Sequence, residues 1–92
     1  MDRQRVLNVL REIKAKYALE DVYLFGSFAK GQAGEGSDVD MAVKMTKTDA
    51  MKLVEILREA EEKLERDVDI VQLRERMNPF LKERIVKEGI RV

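Results

Sequence analysis

Apolar residues recur along the chain with the spacing of helices in three segments. Residues 3–17 carry an apolar stripe at intervals of three and four positions, made of Val6, Leu7, Val9, Leu10, Ile13 and Tyr17. A second stripe follows Thr48-Asp49, a pair that can cap a helix, and consists of Ala50, Leu53, Val54, Leu57, Ala60 and Leu64. A third helix is predicted from Asn78-Pro79, where a cap precedes proline at the first helical position, to about Lys87 before Gly89.

Shorter segments between these helices show strand patterns. Strands are predicted near residues 21–25, 38–44 and 67–73, and residues 90–92 can form a short edge strand. A brief helix is expected just after the first strand, ending near Ala29. Helices and strands alternate, but this order alone does not fix whether the strands pair parallel or antiparallel.

Length and composition limit the kinds of protein this can be. Ninety-two residues are enough for one small domain, and we expect a single domain over residues 1–92. The 18 basic and 18 acidic residues balance, which argues against extended nucleic-acid binding by this chain alone. The absence of cysteine and histidine excludes disulfides, thiolate chemistry and histidine-based catalysis or metal binding.

The chain lacks the sequence marks of a membrane protein. No apolar run approaches the roughly 20 residues of a membrane span. The N-terminal residues lead into an amphipathic segment and do not resemble a signal sequence. We therefore expect a cytoplasmic location and no membrane partner.

Asp38 and Asp40 are the first candidates for chemistry. They alternate with Val39 and Met41, so both carboxylates share one face of a strand. Two carboxylates this close repel unless a cation lies between them, and Mg²⁺ prefers such oxygen ligands together with substrate phosphates. An isolated Asp-x-Asp also fits two solvated charges on an exposed sheet face.

Gly26-Ser27 lies ten residues before Asp38 and directly after the apolar run 22–25, which suggests a buried strand. Glycine permits a sharp turn and a close approach of a ligand to the backbone. The hydroxyl and backbone N–H of Ser27 are groups that bind phosphate oxygens. Gly-Ser alone is a common turn dipeptide, so its weight comes from its position before Asp38 and Asp40.

Asp69 is the candidate for a third acid, because it interrupts the apolar run 68–71. A carboxylate inside a buried strand is unfavourable unless it is paired or binds a metal. Asp67 shares its face by alternation, but it lies at the strand entrance beside Arg66, where a solvated role is favoured. The other interpretation of Asp69 is an ion pair with a nearby Lys or Arg.

Together these segments resemble the minimal nucleotidyltransferases (MNT domains) of the DNA polymerase β-like superfamily. The resemblance rests on 26–31, on Ser37-Asp38-Val39-Asp40 and on 68–71, and it extends to the final helix and strand. It implies an α+β fold, a small mixed sheet with helices packed mainly on one face and the acids on the opposite, open face. The family often has Arg where this chain has Lys30, so the charge is kept but a bidentate contact is lost.

The resemblance also implies the roles of these residues. Gly26, Ser27 and Lys30 would bind the nucleotide's phosphates, and ATP is the expected substrate. Asp38, Asp40 and Asp69 would be the catalytic and metal-binding acids for two Mg²⁺ ions, with Asp69 also activating the acceptor hydroxyl.

Many family members are antitoxins that add AMP to a tyrosine of a HEPN-domain toxin, which makes a HEPN-type partner the expected acceptor. Because the chain is short, it has little room for residues that recognise the acceptor. A partner protein or a homo-oligomer is therefore expected to complete the site. Two alternatives remain: a non-catalytic module that neutralises a partner by occlusion, and an adenylyltransferase for small molecules such as antibiotics.

Overall fold

A computed structural model describes residues 2–92 and contains the predicted elements. The helices are α1 (Arg3–Lys16), α2 (Gly26–Lys30), α3 (Ala50–Leu64) and α4 (Pro79–Glu88). The strands are β1 (Asp21–Phe25), β2 (Val39–Lys44), β3 (Val68–Gln72) and β4 (Ile90–Arg91). The predicted boundaries agree with these to within about two residues, and the predictions of an edge strand at the C-terminal end and of a brief helix after β1 are confirmed.

Side-chain caps fix the starts of the longer helices. The carboxylate of Asp2 accepts a hydrogen bond from Arg5 N at 2.8 Å, and that of Asp49 accepts one from Lys52 N at 3.0 Å. The side chain of Asn78 accepts hydrogen bonds from Phe80 N at 2.9 Å and Leu81 N at 3.3 Å. These bonds satisfy backbone N–H groups that have no partner within the helix. The caps predicted at Asp49 and Asn78 are therefore confirmed.

The strands form one four-stranded mixed sheet in the order β3-β2-β1-β4. β1 runs antiparallel to both β2 and β4, whereas β2 and β3 are parallel. The α+β architecture with a small mixed sheet is thus confirmed. The parallel pairing of β2 and β3 is the feature that the order of elements left open, and it sets the geometry of the acidic residues.

One face of the sheet, here called the closed face, is covered by α1 and α3. Alternate residues of β1 and β2 point into this core, as does Val68 of β3, and the helices contribute their apolar stripes. The fully buried residues of this core include Val6, Leu10, Ile13, Val22, Leu24, Val39, Met41, Val43, Ile56, Ala60 and Leu64. Burial of this apolar surface is the main force that stabilises the fold.

The other face, here called the open face, carries Asp40 and Asp69 by alternation and has only partial cover. Two buried residues lie outside the main core, Ala42 on the open face of β2 and Ile85 of α4. α4 contacts β1 and shares a recess with Tyr23, which alternates with the buried residues of β1, so this helix lies over the open face. The helices are mainly on one face, as expected, and α4 is the exception.

Within residues 2–92, no helix is both long enough and apolar enough to cross a bilayer.

Candidate functional site

Asp40 and Asp69 meet at the centre of the candidate site. They are register partners across the parallel pair of β2 and β3, and their neighbours Val39 and Val68 are partners as well. Neighbouring strands lie about 4.8 Å apart, and residues opposite each other in a parallel pair project from the same face. Since Val39 and Val68 are buried in the closed face, the two carboxylates project together from the open face.

The turn at Gly26 adjoins the same carboxylate. Phe25, the last residue of β1, is the register partner of Asp40, and Gly26 follows with a φ of +74°. A Cβ built on Gly26 would overlap Asp40 Oδ2 and would lie 3.1 Å from Asp40 Cγ. Glycine is therefore required here twice over, for its positive φ and for the space that the Asp40 carboxylate occupies. The structure thus brings the predicted phosphate-binding turn against the predicted acids.

The electrostatics of Asp40 reflect this crowding. Loss of solvent raises the pKa of its carboxyl above the ordinary value, and the negative charges of Asp69 and then Asp38 raise it further. A hydrogen-bond contact with Asp69 acts in the same direction, whereas the positive charge of Arg84 opposes it. Carboxylates held together in this way favour a proton or a cation between them.

Asp38 lies at the edge of this cluster. It precedes β2 by one residue and is exposed, so its link to Asp40 is through charge and not through packing. Arg66 fixes the loop before it by donating hydrogen bonds to Ser37 O at 3.1 Å and to Gly34 O at 3.5 Å. The guanidinium of Arg66 also stacks over the Phe28 ring at 5.3 Å. Arg66 therefore links the loop that precedes Asp38 to Phe28 of α2.

Ser27 and Lys30 both lie on α2, which starts at the Gly26 turn. Ser27 is half-buried in its first turn and directly follows Gly26, the residue packed against Asp40. Lys30 is in the last turn, where its ammonium lies 3.7 Å from Glu88 Oε2 of α4. The two predicted phosphate-binding side chains therefore stand at opposite ends of one short helix.

The structure separates the two competitors for the third acid. Asp69 is a neighbour of Asp40, whereas Asp67 lies before β3 and does not contribute to the raised pKa of Asp40. One expectation about Asp69 was wrong, because it is exposed and not enclosed in a buried strand. The reason is topological: β3 is an edge strand with a neighbour on one side only, and α4, the helix on the open face, packs against β1 and not against β3.

The carboxylates on the open face are few and lie at one side of the sheet. Over residues 2–92, no group of three or more Asp, Glu, His or Cys side chains converges closely enough to enclose a metal by itself. Mg²⁺ does not need such a group, since it commonly takes one or two carboxylates and completes its shell with phosphate and water oxygens. Asp40 and Asp69, with Asp38 near them, are a donor set of this kind and fit the ion.

Sequence reasoning gave no role to Arg84, the cation of α4 that acts on Asp40. The available signal was spacing, since Phe80, Arg84 and Glu88 follow one another at intervals of one helical turn. That signal alone could not show which strand the helix would cover. Arg66 was noted only as a neighbour of Asp67, and its hydrogen bonds to residues 34 and 37 connect segments about thirty positions apart.

Comparisons with known proteins agree with this arrangement. The family model described as polymerase beta nucleotidyltransferase matches residues 8–92. Protein adenylyltransferase MntA of Shewanella oneidensis is 31% identical over 90 residues, which cover 97% of this chain and 63% of MntA.

Two solved structures are similar over nearly the whole chain. A toxin–antitoxin structure with AMP-PNP has a TM-score of 0.74 at 29% identity, and the match covers 99% of this chain and 72% of that one. A tri-AMPylated Shewanella oneidensis HEPN toxin in complex with MNT antitoxin has a TM-score of 0.73 at 26% identity, covering 97% and 70%. Given the family match, the acids on the open face and these similarities, the chain belongs to the polymerase β nucleotidyltransferase family.

Proposed function

We propose that this chain is a Mg²⁺-dependent protein adenylyltransferase that transfers AMP from ATP to a tyrosine hydroxyl of a HEPN-type partner and thereby acts as an antitoxin. The observation that carries the proposal is the meeting of Asp40 and Asp69 on the open face with Gly26 packed against Asp40. It places a phosphate-binding turn next to a pair of carboxylates. These are the groups needed to transfer AMP from a nucleoside triphosphate.

Each residue has a role that follows from its position. The turn at Gly26 and the hydroxyl of Ser27 bind the terminal phosphates, because the absence of a side chain at Gly26 lets this turn lie directly against the Asp40 carboxylate. Asp38, Asp40 and Asp69 would hold two Mg²⁺ ions together with phosphate oxygens. When bound, the metal supplies positive charge that stabilises the attacking and leaving oxygens.

The reaction balances with these groups. The tyrosine oxygen forms a bond to the α-phosphorus while the bond from that phosphorus to the bridging oxygen of the β-phosphate breaks. Pyrophosphate leaves, and the hydroxyl proton passes to the carboxylate of Asp69. Asp69 suits this task because it is exposed at the sheet edge, where an acceptor can reach it.

The partner is inferred from the relatives. MntA is a protein adenylyltransferase, and the similar toxin–antitoxin complex holds a tri-AMPylated HEPN toxin with an MNT antitoxin. This chain matches them over almost its full length, including the segments that carry Gly26, Asp40 and Asp69. A protein acceptor also suits an open carboxylate face better than a small molecule, which would need a pocket to hold it.

The decisive experiment uses ATP labelled separately at the α- and γ-phosphate, with Mg²⁺ and a HEPN-type partner protein. Transfer of AMP predicts that the α-label reaches the partner and the γ-label does not. Mass spectrometry should locate the added AMP on a tyrosine. Asp69→Asn should abolish the transfer, and Asp67→Asn should retain it, because Asp69 and not Asp67 is the register partner of Asp40.

Three outcomes would overturn the proposal. Incorporation of the γ-label would show phosphoryl transfer instead. Full neutralisation of the partner by Asp40→Asn without any labelling would show that the chain works by occlusion. Rapid modification of free small molecules by the lone chain would favour an antibiotic-type adenylyltransferase.

A further inference from the structure

A group of charged residues links α4 to the phosphate-binding helix α2. Glu88 Oε2 lies 3.7 Å from Lys30 Nζ and 3.9 Å from Arg84 Nε, so one carboxylate oxygen faces two cations from two elements. The three side chains line a shallow surface recess that also contains Phe80, Glu83 and Lys87. Among these residues, the family resemblance gives a phosphate-binding role to Lys30 alone.

This group borders the acid cluster. Lys30 ends the helix that begins at the Gly26 turn, against which the Asp40 carboxylate packs. Arg84 is the cation that acts on Asp40 from the opposite element, α4. Arg84 therefore acts on the carboxylate cluster directly, and Lys30 lies beside Arg84 in the same recess because both face Glu88.

The contacts of Glu88 with these cations are weak. Both distances exceed that of a hydrogen bond, and all three side chains are substantially exposed, with Glu88 at 52%. Exposed ion pairs of this kind contribute little to stability. A phosphate group presents several oxygens and can accept hydrogen bonds from Arg and Lys at once, so it would replace a single shared carboxylate oxygen with better contacts.

Building on the nucleotide transfer proposed above, we propose that Arg84 binds the nucleotide's phosphates together with Lys30, and that Glu88 is an internal anion which the incoming phosphates displace. Glu88 keeps Lys30 and Arg84 close to the site, but it forms a hydrogen bond with neither of them. It competes with the nucleotide, and Arg84 is a positioning residue for the substrate.

The proposal predicts opposite effects for two substitutions on one helix. Arg84→Gln removes a charged phosphate contact and should weaken binding of ATP about tenfold, the usual effect of losing a hydrogen bond to a charged group. Glu88→Gln removes the competitor and should tighten binding by about threefold. Arg84→Lys should lie between wild type and Arg84→Gln, because it keeps the charge and loses the planar fork.

The test is calorimetric titration of the full chain with ATP and Mg²⁺, repeated with inorganic tripolyphosphate as a probe without a base. Arg58→Gln is the matched control, since it makes the same change of side chain and net charge on an exposed position of α3 at the closed face. Its affinity should stay within about twofold of wild type. Far-UV circular dichroism and thermal melting check that every variant is folded.

The outcomes separate this inference from the function on which it depends. If wild type binds neither ATP nor tripolyphosphate, the proposed function fails and this inference fails with it. If wild type binds and Arg84→Gln behaves like Arg58→Gln, only the role of Arg84 is overturned. If Glu88→Gln weakens binding, Glu88 supports the site and does not compete with the ligand, which overturns the displacement.

Discussion

The two faces of the sheet are built from alternate residues of the same strands and serve different purposes. On the closed face, Val39, Met41 and Val43 of β2 are fully buried under α1 and α3. On the open face, Asp40 of the same strand stands beside Asp69 with Gly26 packed against it. Neighbours in sequence are thus separated by the thickness of one sheet and face opposite environments.

The comparison assigns stability to one face and chemistry to the other. The closed face gains free energy by removing apolar surface from water. On the open face, loss of solvent and then the negative charges of Asp69 and Asp38 raise the pKa of Asp40, so this face is held together by the rest of the fold. Substitutions on the closed face should therefore mainly lower stability, and substitutions on the open face should mainly lower activity.

The largest expected effect is the loss of transfer in Asp40→Asn. Replacement of a metal-binding carboxylate removes several kcal/mol of transition-state stabilisation, so the rate of AMP transfer to the partner should fall at least about a hundredfold. The melting temperature of the metal-free protein should stay equal or rise, because one of the repelling charges is gone. Labelled AMP incorporation and thermal melting in a chelating buffer measure the two effects.

A large loss of stability in Asp40→Asn would contradict this picture, since it would mean that the carboxylate has a stabilising partner. Asp67→Asn provides the comparison, because it removes the same charge from an exposed position next to β3. It should change neither the transfer rate nor the melting temperature appreciably.

The second prediction concerns the adjacent residue on the closed face. Met41 is fully buried, so Met41→Ala should lower the free energy of unfolding by about 2–5 kcal/mol through lost burial and a new cavity. Folded Met41→Ala protein should still transfer AMP. Urea unfolding measures the change, and Met51→Ala is the control, because Met51 is 70% exposed and its loss should shift stability by no more than about 0.5 kcal/mol.

The closed face could be predicted closely from the sequence. The apolar stripe at Val6, Leu10 and Ile13 has helical spacing, and these residues are fully buried. The capping residues Asp49 and Asn78 marked the starts of α3 and α4. These features are local, because periodicity and capping depend on residues within a few positions of one another.

The open face could be predicted only in part. The motif around Asp38 and Asp40 indicated where the chemistry lies, but the contact of Asp40 with Asp69 depends on the parallel register of β2 and β3. The exposure of Asp69 and the position of Arg84 follow from edge placement and from the docking of α4. These are properties of tertiary packing between segments far apart in the chain, and local patterns do not contain them.

The third prediction compares the caps of one helix from each face. Asp49→Ala on α3 and Asn78→Ala on α4 should each lower the free energy of unfolding by about 1 kcal/mol, because each leaves backbone N–H groups without a partner. Only Asn78→Ala should also weaken ATP binding, since α4 carries Arg84. Urea unfolding and ATP titration of both variants measure this, and equal ATP affinities would show that α4 does not contribute to the site.

The smallest expected effect is in the pH dependence of stability, where the two faces should differ in sign. The pKa of Asp40 is raised from its ordinary value of 3.8 by loss of solvent and by its acidic neighbours. The folded state therefore binds this proton more tightly than the unfolded state, and the associated stability is lost as the pH rises through the raised pKa. Solvent reaches Asp40, so the effect is screened and small.

Glu59 of α3 is the opposite case, because a hydrogen bond from Lys16 lowers the pKa of its carboxyl from the ordinary 4.5. Its contribution to stability is present above that value and is lost as the pH falls through the lowered pKa. Between pH 4 and 7, in chelating buffer of low ionic strength, Asp40→Asn should therefore gain melting temperature relative to wild type as the pH rises. Over the acidic part of the same titration, the melting temperature of Glu59→Gln should fall relative to wild type as the pH rises. If the melting temperatures of the two variants change in parallel with pH, the open face carries no more electrostatic repulsion than the closed face. The assignment of stability to the closed face and of chemistry to the open face would then fail.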